Sequence, residues 1–172
     1  LKKTASTFFF INKYADAGDI LDQKIVRISY EDNAFTLYQK LTRTAIKQIN
    51  SFLPKLQNNT YIKKSQDEKK ANTWRRRTEV DGFIDWRMDS ENIRNLIRGL
   101  TKPYCGASFL YKGEEYKIWE AETVIYLFEN IEPGKIVELS DKKITVKCGR
   151  GAIKILNIEP NIFEKINLGD YL

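Results

Sequence analysis

Near its start the chain runs Ser6-Thr-Phe-Phe-Phe-Ile11, four large apolar side chains in succession. Neighbouring side chains of a strand point to opposite faces, so this run cannot alternate between core and solvent. It calls for a strand inside a sheet covered on both sides. Such a strand needs neighbours, and the five residues before it, which begin with Leu1 rather than Met, do not supply them. The expectation is the C-terminal part of something larger.

After this run, Lys24–Tyr30 alternates and reads as a half-exposed edge strand. Asp32 is placed to cap a helix reaching about Leu53, with Ala34, Leu37, Tyr38, Leu41, Ala45, Ile49 and Phe52 on one face. Pro54 should stop it. Gln57–Thr78 is polar and strongly charged, a surface connection with little core of its own. "GFIDW" (Gly82–Trp86) is a short apolar element, and Ser90 reads as the cap of a helix burying Ile93, Leu96, Ile97 and Leu100. From Ser108 onward short apolar segments follow one another, separated by the turn signals "KGEE", "SDKK" and "CGRGA". The fold class is therefore α/β plus β: 1–56 as a piece of a layered α/β domain, 57–107 as a charged linker and helix, and 108–172 as a small antiparallel barrel or sheet.

Composition narrows the chemistry. A net charge of +6 fits an anionic ligand such as a nucleotide, a folate or RNA without choosing among them. Cys105 and Cys148 form no Cys-x-x-Cys pair, so no zinc site or disulfide framework is expected, and a reducing cytoplasm is. The apolar runs are far too short to span a bilayer, and the sequence opens with no signal-peptide pattern, so a soluble protein is expected. Histidine is absent from all 172 residues. Proton transfer near neutral pH would then fall to a shifted carboxylate, Lys, Tyr or Cys, or the rest of the site lies elsewhere.

Two stretches carry candidate chemistry. In "NKYADAGDILDQ" (Asn12–Gln23), Gly18 suits a positive φ and Asp16 can bond to backbone amides of a turn. Equally, Asp16 is a carboxylate beyond the end of a buried strand, where α/β domains place their sites. In "WRRRTEVDGFIDW" (Trp74–Trp86), three arginines between aromatics can grip a phosphate bidentately while a Trp stacks on a ring. They can also sit solvated on a loop with Asp81 and Asp85 as partners. "CGRGA" lacks the Gly spacing and following helix of a phosphate loop and is a hairpin turn.

Taken in order, "ADAGDILDQ", "DNAFTLYQKL", "RRRTEVDGFIDW", "IRNLIRGLTKPYCGASF" and "PGKIVEL…ITVKCGRGAIKILNIEP" closely resemble the formyltransferases that use 10-formyltetrahydrofolate. These include methionyl-tRNA formyltransferases and sugar-nucleotide N-formyltransferases. The resemblance implies the end of a doubly wound catalytic domain, a linker and a small open antiparallel β-barrel. It implies 10-formyltetrahydrofolate as formyl donor, with no metal. In that family an Asn, a His and an Asp surround the formyl carbon. The Asp matches Asp16, while the Asn and the "HxSxLP" segment holding the His have no counterpart here. Asn12, Ala15, Gly18 and Asp19 would line the folate pocket.

The favoured acceptor is a nucleotide-linked amino sugar held by Trp74, Arg75, Arg76 and Arg77, because "WRRRTEVDGFIDW" resembles the sugar-modifying branch. Initiator tRNA is the alternative, and a homodimer is left open. A reading of another class is a non-catalytic RNA-binding β-barrel module, against which Glu129, Glu132, Glu138 and Asp141 interrupt the basic residues. The chain alone should be inactive.

Overall fold

The computed structural model describes residues 1–128, 130–140 and 142–172. Glu129 and Asp141, the latter within the "SDKK" turn, lie outside the described residues. The chain divides into two compact units, Leu1–Arg76 and Arg77–Leu172.

In the first unit, β1 (Lys3–Phe9) pairs antiparallel with β2 (Ile20–Arg27), and α1 (Ala34–Gln57) packs across both. Both strands begin earlier than their apolar residues suggest, because pairing from Lys3↔Arg27 to Phe8↔Asp22 sets their ends. Within this unit β1 is half-buried rather than buried on both faces. Phe8 meets Phe52 of α1 edge-on at 5.0 Å, whereas Ile11 is 93% exposed. The inward face of α1 is centred on Gln48, which is buried. Its Nε2 donates to the Ser6 carbonyl at 3.2 Å and to Asp22 Oδ2 at 2.9 Å. Both partners are acceptors, so the amide's orientation is fixed, and Oε1 is left buried without a partner among the described residues. Tyr38 and Ile49, expected on the inner face, are exposed. They fall with Phe35, Ile46 and Leu53 on an adjacent apolar stripe that this unit leaves open.

The start of α1 divides the labour expected of Asp32. Asn33 is the cap, forming a reciprocal box with Thr36. The buried Asp32 carboxylate accepts from the Ser29 N–H at 2.7 Å, the Thr36 hydroxyl at 3.1 Å and Lys40 Nζ at 2.5 Å. Lys40 holds this carboxyl far below the usual carboxylate range, against the opposing effect of burial. A depressed folded-state pKa adds stability above the unfolded value of about 4 and loses it as pH falls from there through the folded value. Asp32→Asn should therefore cost about 1.5–3 kcal/mol at pH 7, the range for hydrogen bonds to charged groups. The gap from wild type in urea denaturation should close as pH drops below about 4. A gap unchanged at pH 3 would show that the charge is not responsible. At its other end α1 runs through Pro54 to Gln57. Proline removes one hydrogen bond, and bonds from Asn58 N to the Pro54 carbonyl (3.1 Å) and Thr60 N to the Lys55 carbonyl (2.9 Å) complete the final turn.

The second unit is an antiparallel five-stranded sheet, ordered β3 (Ala107–Tyr111), β4 (Glu114–Val124), β7 (Ala152–Glu159), β6 (Lys143–Lys147), β5 (Ile136–Ser140). It packs on α2 (Ser90–Leu100). The cap of α2 is Asp89, one residue before Ser90, its side chain accepting from the Glu91 N–H at 2.9 Å. Ile93 and Ile97 are fully buried among Trp86, Phe109, Ile118 and Ile153. Each edge strand has a backbone neighbour: Ile84 N donates to the Ser108 carbonyl on β3 (2.7 Å), and Ile136 N on β5 donates to the Asp170 carbonyl (2.8 Å). The "CGRGA" segment is the β6–β7 hairpin connection, as expected. It is stitched to the chain before α2, since Gly149 N donates to the carbonyls of Trp86 (2.9 Å) and Met88 (3.0 Å).

Candidate functional site

Asn12, Ala15, Asp16, Gly18 and Asp19 all lie on the single loop joining β1 to β2. Its neck is closed by a hydrogen bond from Phe10 N to the Asp19 carbonyl at 2.9 Å. Gly18 is buried there, and a Cβ on it would lie 1.5 Å from the Phe10 carbonyl oxygen. Glycine is thus required by close approach. The positive φ expected of Gly18 falls instead on Asp16, at 55°. Beyond the neck the loop is exposed, with the Asn12 side chain accepting from the Tyr14 N–H at 2.8 Å. Ala15 and Ala17 are exposed and put little side-chain bulk over the loop.

Asp16 does not hold this loop together through its side chain. Among the described residues its exposed carboxylate accepts no hydrogen bond, so the turn-former reading lacks the contact it needs. The clasp comes from a stretch read as surface connection. Lys64 bridges Ile20 through two backbone bonds (2.8 and 2.9 Å), extending the strand pairing. Next to it, the Ser65 hydroxyl donates to Asp19 Oδ1 at 3.1 Å. Gln66 Nε2 donates to the carbonyls of Asp16 (2.8 Å) and Gly18 (2.7 Å). Tyr61 packs on Phe10 with ring centroids 5.5 Å apart, and Lys63 Nζ lies 4.4 Å over the Phe10 ring. The one sequence signal for this clasp was the apolar pair Tyr61-Ile62 within a charged run.

Trp74 is 81% exposed and its indole N–H donates to Asn72 Oδ1 at 2.8 Å. Arg75, Arg76 and Arg77 are also exposed, with Arg75 and Arg76 ending the first unit and Arg77 opening the second. Asp85 forks onto Arg87 (2.6 and 2.8 Å) instead of onto the triple arginine, and Arg87 lowers its pKa to about 2. Asp81 accepts from the Thr78 N–H at 2.8 Å.

A cleft of about 790 Å³ in the second unit lies between Asp89–Asn92, Thr123–Phe128 and the Gly149–Gly151 turn. Its walls mix Asp89 and Glu91 with Lys147 and Arg150, so they form no basic groove of the kind nucleic acid requires. Burial drives the Cys148 thiol up to about 12, which makes it inert at neutral pH. Among the described residues no acidic or Cys cluster is placed to hold a metal, and no helix is long and apolar enough to cross a membrane.

Residues 77–172, more than half of the chain, match the family model described as formyl transferase, C-terminal domain. The chain belongs to the formyl transferase family. A curated methionyl-tRNA formyltransferase from Caldanaerobacter subterraneus subsp. tengcongensis is 36% identical over 171 residues, 99% of this chain and 54% of the relative. The formyl transferase chain thus spans about half the length of that relative. HypX from Aquifex aeolicus, solved with tetrahydrofolic acid, superposes with a TM-score of 0.74 at 16% identity, covering 99% of this chain and 32% of that one. The N-formyltransferase from Helicobacter canadensis, solved with folinic acid and dTDP-3-aminofucose, gives 0.68 at 20% identity, covering 91% and 56%. Both likenesses are of fold.

Proposed function

We propose that the full-length protein is a cytoplasmic N-formyltransferase that transfers a formyl group to the amine of a nucleotide-linked amino sugar, with Asp16 at the reaction centre. The observation that carries this reading is the exposed Asp16 carboxylate on a loop whose backbone is held by other groups. The first unit would be the end of a doubly wound domain, and the second-unit sheet would bend into an open barrel. When bound, 10-formyltetrahydrofolate supplies the formyl carbon. The loop of Asn12, Ala15, Gly18 and Asp19, exposed beyond its neck and low in side-chain bulk at its alanines, would line the pocket for the donor's flat heterocycle. Asp16 would orient a histidine contributed by the preceding part of the protein and take the proton of the attacking amine. The exposed Trp74 and Arg75–Arg77 suit a pyrophosphate-linked sugar, as ring stacking beside paired guanidinium bonds.

A second reading, initiator tRNA as acceptor, is favoured by the 36% identity to a methionyl-tRNA formyltransferase. The full-length protein with 10-formyltetrahydrofolate should formylate dTDP- or UDP-linked 4-amino sugars. Formylation of charged initiator tRNA alone would overturn the sugar assignment. Under the same assay the 172-residue chain by itself should transfer no formyl group. Replacing Arg75, Arg76 and Arg77 singly with Ala should raise KM for the nucleotide sugar at one position or more.

A further inference from the structure

We infer that Gln66 is a positioning residue for Asp16: its carboxamide locks the Asp16 backbone in the left-handed conformation that aims the carboxylate. The inference rests on the role proposed for Asp16. Asp tolerates the φ of 55° seen at Asp16 better than most residues with a Cβ, but it also adopts other conformations, so a fixed left-handed Asp16 needs contacts that hold it there. The loop's own side chains make few bonds; the Asn12 contact reaches only Tyr14. Gln66 instead reaches back 48 to 50 positions with one NH₂ group and bonds two carbonyls, that of Asp16 itself and that of Gly18 two residues on. Two carbonyl acceptors require the nitrogen to face them, so the amide orientation follows from chemistry. The first bond holds the Asp16–Ala17 peptide plane, which begins at Asp16 itself, and the second holds the Gly18–Asp19 plane. Gln66 is itself exposed, and its removal opens no core cavity. Its two bonds therefore set the geometry of the loop more than the stability of the unit.

The test is a double-mutant cycle on the full-length protein. Gln66→Leu removes both donors, and Gln66→Glu sets a carboxylate against two carbonyl oxygens. Each should lower kcat for formyl transfer about 10- to 100-fold, the upper end being what a misplacement of order 1 Å can cost, with KM changed less than about threefold and Tm nearly unmoved. In an Asp16→Asn background the same changes should cost almost nothing, because the group they position no longer acts. Full additivity of the two losses, or unchanged kcat in Gln66→Leu while Asp16→Asn is crippled, would overturn the positioning role alone. Unchanged kcat in Asp16→Asn would overturn the proposed function itself.

Discussion

Asp16→Asn in the full-length protein should lower kcat for formyl transfer by roughly 100-fold or more, with a much smaller change in KM. The substitution isolates charge from shape. Asparagine is among the side chains that best tolerate a φ of 55°, so the loop should keep its path, its closed neck and its Gln66 contacts. What disappears is the negative charge and the ability to take a proton. An unaltered kcat would remove Asp16 from the chemistry and require another proton acceptor. Asp19→Asn is the internal comparison. Its amide oxygen can still accept from the Ser65 hydroxyl, and its backbone carbonyl still closes the neck, so the loss there should be much smaller.

Gly149→Ala should destabilise the second unit by about 3 kcal/mol or more, the upper range for forcing an extra carbon into packed surroundings. The added Cβ would sit 2.0 Å from the Arg87 carbonyl oxygen and 2.8 Å from its carbon. These are backbone atoms and cannot rotate aside. Nor can the turn withdraw, since the Gly149 N–H is committed to Trp86 and Met88 and the neighbouring Arg150 carbonyl takes the Ser90 N–H. Gly99→Ala provides the contrast: nothing lies within 4 Å of its added Cβ. Being near the end of α2, it should gain about 0.5–1 kcal/mol from reduced chain entropy. Urea denaturation of the two variants should therefore shift in opposite directions. Equal midpoints would mean that the turn retreats freely from the segment before α2.

What the sequence revealed and what it hid follow a physical division. Periodicity located both helices and the run of strands after Ser108, because burying an apolar face leaves its spacing in the chain. It did not locate their ends. Asp32 and Asn33, like Asp89 and Ser90, are adjacent residues that can each cap, and backbone dihedrals choose between them. Pro54 looked like a stop because its missing donor is visible in sequence, whereas the bonds beyond it are not. The loop carrying Asp16 was legible as a motif but its support was not. Tyr61–Gln66 has no apolar period, and its meaning lies in pairing with Ile20, Asp16 and Gly18, more than forty positions away. Gln48 was hidden for the same reason: one polar residue on an apolar face gives no sign of which backbone it will meet.

The arrangement of the sheet edges also bears on the order in which the second unit can fold. Its outer strand β5 is paired by Asp170 and the adjoining Lys135↔Tyr171 bridge, and Tyr111 on the opposite edge strand donates to Asp170 Oδ2 across 59 positions. Lys165 reaches Glu114 across 51. Contacts of such sequence separation carry a loop-closure entropy before they return any binding energy, which slows the search for the native pairing. During synthesis from the N-terminus the contacts within Leu1–Arg76 can form before those of the second unit. In the second unit the β5 edge stays open until Asp170 and Tyr171 have emerged, and until then that edge is free to pair with a neighbouring chain.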